Sequence, residues 1–330
     1  MTSLTSQIPL VSADEWYEFL EAVYAEDTRR REAETEEPLA VGAVGAVGDG
    51  ALEAWLEVIG GYVREELAAD GGEAARGLAP GETVLHQSMG LFGECDAGNS
   101  VHIDALLFPD PADALAVAAY YEYVCAHCRR ADGVRAVHII SHSLSPAEIT
   151  SIVAWLDGQW AALGLPDSGA HLVDVGSRFG AVVLGAVRGL SHRGIEGIGV
   201  EANAYFAGLA GRTAARYGLA DAARFVEARA ESEAGLAELS SASIAVFNNV
   251  FQFFVPRDDQ PEVWETVSSA LKPGTLVLSH PSLELVLGEL GWSPERLAEW
   301  VRPVGVINGS DGDDDDDEAE MTRMYAYVVC

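Results

Sequence analysis

From His171 onward, short apolar runs alternate with amphipathic stretches at the spacing of strand and helix. His171 to Val175 is an apolar run that closes on Asp174-Val175-Gly176. Ser177-Arg178-Phe179-Gly180 then makes a glycine turn, and Ala181 to Val187 continues as an apolar helix face. Ile195 to Val200 forms a second apolar run that ends in the acidic Glu201. An alanine-rich helix over 202–217 follows, then a third strand and turn within Ala223 to Glu231. Ile244 to Phe254 opens as a continuous apolar run, the pattern of a strand buried on both faces. A helix over 262–271, the turn Lys272-Pro273-Gly274 and a strand over 275–279 come next. The runs 302–307 and 321–329 bracket an acidic loop, Asp311 to Glu320, and predict a terminal hairpin. Strands alternating with helices at these lengths specify a largely parallel sheet.

Upstream the pattern is mixed. Residues 14–34 predict a helix, with Ser12 as cap and Trp16, Phe19, Leu20 and Val23 on one face. Pro38 and a Gly/Ala/Val tract break it, and a second amphipathic helix spans 52–67. Residues 83–85, 90–92 and 101–108 have strand-like character, 113–125 is helical, and 134–140 gives another short strand. Ser145 and Pro146 then mark a helix start over 147–163. The chain divides accordingly into an α+β accessory region, 1–142, and an α/β domain, 143–330.

Composition narrows the function. The chain has 330 residues, 49% of them hydrophobic, enough for a sizeable core. No apolar stretch approaches the roughly 20 residues of a membrane span, and Met1 to Pro9 lacks the pattern of a secretory signal. An intracellular, cytoplasmic or nuclear, protein is expected. The formal charge is −32, and Lys272 is the only lysine. Direct nucleic-acid binding through a basic surface is not expected, because phosphate contacts need clustered Lys and Arg. The acidity suits a basic partner, adaptation to high salt or simple solubility, and solubility is the simpler expectation. Cys125-Ala126-His127-Cys128 is a single Cys-x-x-Cys pair, which Cys95, His102 and His142 would have to complete for zinc; packed thiols are the simpler expectation, and no metal is assigned.

The chemistry sits at the glycine turn. A strand, a glycine-rich loop and a helix opening form a place where an α/β sheet offers backbone N–H groups to a ligand. An acid about 20 residues beyond suits ribose hydroxyls. The loop lacks Gly-x-Gly-x-x-Gly, which disfavours a nicotinamide-linked oxidoreductase. The Asp174 loop with Glu201 closing the next strand instead resembles the class I S-adenosylmethionine-dependent methyltransferases. Asp174-Val175-Gly176-Ser177, Gly199-Val200-Glu201 and Asn248-Asn249-Val250-Phe251 stand in the order of the disruptor-of-telomeric-silencing type of lysine methyltransferases, which resemble this chain over about 142–330. The resemblance implies a Rossmann-like seven-stranded sheet closed by the terminal β-hairpin, with S-adenosylmethionine as cofactor. It implies that Asp174, Gly176, Ser177 and Gly180 surround the methionine moiety, that Glu201 binds the ribose, and that Ala230 and Glu231 lie by the adenine. Asn248, with Asn249, would stand between cofactor and acceptor as the catalytic pair. The helix over 147–163 would cover the pocket with His142, Ser143 and Ser145 at its mouth, unless these residues only form its capped start.

Two residues depart from that family. Arg178 replaces the second glycine of the loop, where a large side chain either crowds the cofactor or pairs with its carboxylate. Arg229 stands where an acid often meets the adenine amine, with Glu227 and Glu231 as substitutes. The implied activity is methyl transfer to a protein side chain or small molecule, a basic protein among the candidates. The alternative these departures raise is a methyltransferase-fold scaffold without activity.

Overall fold

The computed structural model describes residues 49–74, 77–82, 100–107, 138–252, 254–307 and 323–330. The expected elements at 14–34, 83–85, 90–92 and 113–125, the cysteines at 95, 125 and 128, and the acidic loop at 311–320 lie outside them.

The parallel core of the sheet comes from four apolar runs and the strand beside them. Strands β3 (His171–Val175), β4 (Glu196–Glu201), β5 (Ala223–Glu227), β6 (Ile244–Asn248) and β7 (Leu276–His280) run parallel. β8 (Val301–Ile307) and β9 (Met324–Val329) add an antiparallel pair. The spatial order is β5-β4-β3-β6-β7-β9-β8, so the terminal hairpin inserts its second strand beside β7. A separate pair, β1 (Ser100–Ile103) and β2 (His138–Ser141), precedes this sheet.

Side chains alternate between two buried faces, as a pleated strand requires. Leu172, Ile244, Val246, Leu276 and Leu278 enter one cluster; Val173, Val175, Ala245, Phe247 and Val277 enter the other. The first face is covered by α1 (Asp49–Ala69), α2 (Pro146–Gln159) and α3 (Ala181–Gly189). Helix α1 lies in the expected accessory region, yet its Leu52, Leu56, Ile59, Val63 and Leu67 are buried in this same cluster. Helix α4 (Ala204–Arg216) also contributes here, through Phe206 and Leu209. On the other face lie α5 (Glu233–Leu239), α6 (Gln260–Ala270), α7 (Leu283–Glu289) and α8 (Pro294–Trp300).

Local chemistry sets the boundaries. Helix α2 starts on a full capping box: the Ser145 hydroxyl accepts from the Glu148 backbone N–H, and the Glu148 carboxylate accepts from the Ser145 N–H at 2.7 Å. The strand expected over 101–108 stops at Ile103 instead. The Asp104 carboxylate accepts from the backbone N–H groups of Leu106 (3.1 Å) and Leu107 (3.3 Å), folding 104–107 into a turn. Helices α5, α7 and α8 were not expected from the sequence. Each has seven residues and starts at a serine cap, Ser232, Ser282 or Ser293. No helix among the described residues is long and apolar enough to cross a membrane.

Candidate active site

Strand order turns outward in both directions from β3 and β6, which makes the gap beyond their C-terminal ends the place for a ligand. A cleft of about 610 Å³ opens there, within the usual range for small-molecule sites. The last residues of four neighbouring strands line it: Val175 of β3, Glu201 of β4, Glu227 of β5 and Asn248 of β6.

The glycine turn forms one wall. Gly176 has φ +72°, and a Cβ there would stand 2.7 Å from the Val250 side chain. Gly180 has φ +76°, and a Cβ would strike the Phe225 ring at 2.4 Å. Both positions therefore require glycine. The sequence suggested that this loop offers its N–H groups to a ligand, but several are already engaged. The Gly176 and Ser177 amides donate to the Val200 carbonyl at 2.8 and 3.3 Å, and the Arg178 amide donates to the Glu201 carboxylate at 2.9 Å. Loop and acid are thus tied into one rigid edge.

Of the sequence-derived candidates, Gly176, Arg178, Glu201, Ala230, Glu231 and Asn248 come together on the cleft wall. Asp174, Ser177, Gly180 and Asn249 lie behind it. Asp174 and Ser177 are buried, and the Ser177 hydroxyl has no hydrogen-bond partner among the described residues. Asn249 adopts φ +50° and donates its N–H to the His280 carbonyl at 2.7 Å. Within the described residues the Oδ1 atoms of Asn248 and Asn249 are both buried without a hydrogen-bond partner. Of the three residues expected at the mouth, His142 lines the cleft with its ring 6.0 Å from that of Phe254, Ser143 bonds Asp104, and Ser145 caps α2. No cluster of three or more metal-ligating side chains occurs among the described residues.

The Arg178 side chain is engaged by the protein itself. Its guanidinium turns away to the buried Asp104 (Nε to Oδ2, 3.2 Å) and donates to the Gly77 carbonyl. It lies 4.4 Å over the Phe206 ring, and Glu82 stands 3.7 Å away. Such a buried pair is poorly tolerant of losing one member, because the other charge is stranded at a loss of about 3–5 kcal/mol. Arg229, by contrast, is exposed and paired with Glu231 at the far side of the cleft.

Electrostatics at the strand ends follow from burial. Desolvation pushes the Asp174 carboxyl up to about 8, and the Glu201 charge adds to the rise. Glu201 is also pushed up by burial, opposed by the N–H groups of Asn203 and Arg178 and by the Arg178 charge. In the unfolded chain Asp174 titrates near 3.8. The folded state therefore holds its proton more tightly, and stability falls as pH rises from about 4 to about 8. Asp174→Asn is expected to flatten that fall and to be more stable than the parent at pH 8 by on the order of a few kcal/mol. Urea unfolding at pH 5 and pH 8 checks this; parallel losses in both proteins would contradict it.

Several cleft residues carried no recognisable signal in the sequence. Glu82, Phe206 and Phe254 reach the wall from three separate segments. Gln260 braces the loop after β6, donating from Nε2 to the carbonyls of Phe251 (3.2 Å) and Val255 (3.0 Å). Beside the serine cap of α2, His142 is a further wall residue that the sequence did point to.

No protein-family model and no curated protein matches the sequence. Among solved structures, the chain is similar to an RNA methyltransferase from Salinibacter ruber in complex with S-adenosyl-L-homocysteine. Identity is 21%, the match covers 54% of this chain and 90% of that one, and the TM-score is 0.33. An S-adenosylmethionine-dependent methyltransferase from Geobacter sulfurreducens, also with S-adenosyl-L-homocysteine, gives 19% identity, 57% and 92% coverage, and a TM-score of 0.34. The mitomycin 7-O-methyltransferase MmcR gives 15%, 56% and 53%, and 0.38. What decides the fold is the sheet itself, five parallel strands with the last strand inserted antiparallel beside β7. The fold is that of the class I methyltransferases. Its ligand edge is the edge where the cleft opens, and Glu201 closes the second parallel strand of that fold, next to the glycine turn.

Proposed function

We propose that this chain is an S-adenosylmethionine-dependent methyltransferase acting on a nucleophile of a protein side chain or small molecule. The observation that carries the proposal is Glu201, at the strand end on the cleft wall with its carboxylate held by the Arg178 and Asn203 amides. Those two bonds fix the carboxylate while leaving acceptor capacity on both oxygens for a pair of ribose hydroxyls. Gly176 gives the methionine portion a wall without a side chain. Ala230, with Glu231 and Glu227, bounds the adenine end, Glu231 being engaged by Arg229. Asp174, Ser177 and Gly180 support this wall from behind, and the accessory region 1–142 reaches it through Glu82 and His142.

The cofactor supplies an electrophilic methyl on sulfur, so the chain's task is to orient the acceptor and exclude water. Asn248 is the candidate for orientation: it ends β6 on the cleft wall, and an amide can orient an incoming N–H or O–H without charge. Asn249 shapes the turn that aims it. An amine acceptor must arrive unprotonated, and the Asn-Asn pair in the manner of the silencing-type enzymes favours an amine, with a basic protein as one source.

Thermal unfolding with added ligand tests the cofactor class. S-adenosylhomocysteine at about 100 times its Kd adds roughly 2.7 kcal/mol, an upward shift of several degrees for a domain of this size. NADH is expected to give none. A shift with NADH and none with either sulfur compound would overturn the proposal in favour of an oxidoreductase.

A further inference from the structure

We infer that Asp104 is a positioning residue for the cleft, holding the Arg178 side chain in a socket so that an arginine can occupy a loop position where the ligand needs open space. The inference rests on the cofactor reading above and adds a residue that lies 74 positions away from the loop it serves.

The socket is built from four separated segments. Asp104 is fully buried, and each of its oxygens is fixed: Oδ2 by the Ser143 hydroxyl at 2.7 Å and by Arg178, Oδ1 by the Leu106 and Leu107 amides. Gly77 supplies a carbonyl to the guanidinium, at φ +66°, and a Cβ there would come within 2.8 Å of the Asp104 Cβ. Phe206 forms the floor under the guanidinium. Asp104, Ser143 and Gly77 do not line the cleft, yet with Phe206, which does, they grip a residue of the cleft wall.

The alternative position of that side chain is the reason it matters. With Asp104 neutralised, the guanidinium still has two carboxylates of the cleft wall to turn to, Glu82 at 3.7 Å and Glu201, whose charged form it favours. A charge-assisted, fork-shaped contact with Glu201 would occupy the oxygens meant for ribose and fill the space beside Gly176. Asp104 thereby keeps Glu201 available, acting through Arg178 alone.

The test is a calorimetric titration of the full chain with S-adenosylhomocysteine, at a temperature where near-UV circular dichroism shows every variant folded. Asp104→Asn is expected to weaken binding at least about tenfold. The double variant Asp104→Asn/Arg178→Gly is expected to bind within about threefold of Arg178→Gly alone, since no side chain then needs holding. Two results overturn the inference: Asp104→Asn binding like the parent, or the double variant remaining as weak as Asp104→Asn. If the parent itself binds no S-adenosylhomocysteine, the cofactor reading fails separately, and amide hydrogen exchange of the unliganded protein decides the socket. Exchange across 176–180 altered by Asp104→Asn, and matching Arg178→Gly in the double variant, sustains it; exchange unaltered by Asp104→Asn overturns it.

Discussion

Replacing Glu201 with alanine is expected to weaken binding of S-adenosylmethionine by roughly 100- to 1,000-fold. Hydrogen bonds to a charged acceptor contribute about 1.5–3 kcal/mol each, and a ribose presents two hydroxyls to this carboxylate. The loss has a second component inside the protein. The Arg178 and Asn203 amides, bonded at 2.9 and 2.8 Å, lose their acceptor, and the edge between the glycine turn and α4 loosens. Glu201→Gln separates the components, because it keeps one carbonyl oxygen and the side-chain volume. Its affinity is expected to fall between that of the parent and that of the alanine variant, with unfolding close to the parent's. Equal affinity in all three proteins would remove Glu201 from the site.

The largest stability effect is expected from Trp264→Ala, a loss of about 3–5 kcal/mol. Trp264 is 1% exposed and packs on Phe247 and Phe251, with ring centroids 5.3 and 5.0 Å away and the second pair edge-to-face. Such pairs add to the area they bury. Its indole N–H has no partner among the described residues, so a purely apolar replacement abandons no hydrogen bond. Trp264→Phe should accordingly lose far less than alanine. Phe251 also lines the cleft, which ties this core position to the candidate site. Urea midpoints of the two variants check the ranking; an alanine variant within about 1 kcal/mol of the parent would contradict the packing account.

What the sequence disclosed about this molecule divides along physical lines. The strand ends at Val175, Glu201 and Asn248 were readable because apolar runs buried on both faces stop where the chain reaches solvent and ligand. The glycine turn was readable because Gly176 and Gly180 meet steric demands that a local pattern expresses. The loop amides were misread for a different reason. A strand-turn-helix pattern does not say whether its N–H groups face a ligand or, as here, the Val200 carbonyl and the Glu201 carboxylate of the next strand.

The position of Arg178 was not readable at all. Its partners, Gly77 and Asp104, lie 101 and 74 residues away, and an ion pair leaves no periodic trace. Asp104 also explains the strand drawn too long over 101–108: a single side chain that captures two amides outweighs the β propensity of the residues around it. The seven-residue helices escaped because two turns are too few for a clear 3.6-residue pattern, although Ser232, Ser282 and Ser293 each carried a cap signal.

The most direct measurement is a calorimetric titration of the parent protein with S-adenosylmethionine and S-adenosylhomocysteine, beside Glu201→Ala. The cleft as described predicts saturable one-to-one binding of both ligands in the micromolar range, lost or weakened at least about 100-fold in the variant. Absence of binding by a folded parent protein, or binding unchanged by the loss of Glu201, would contradict it.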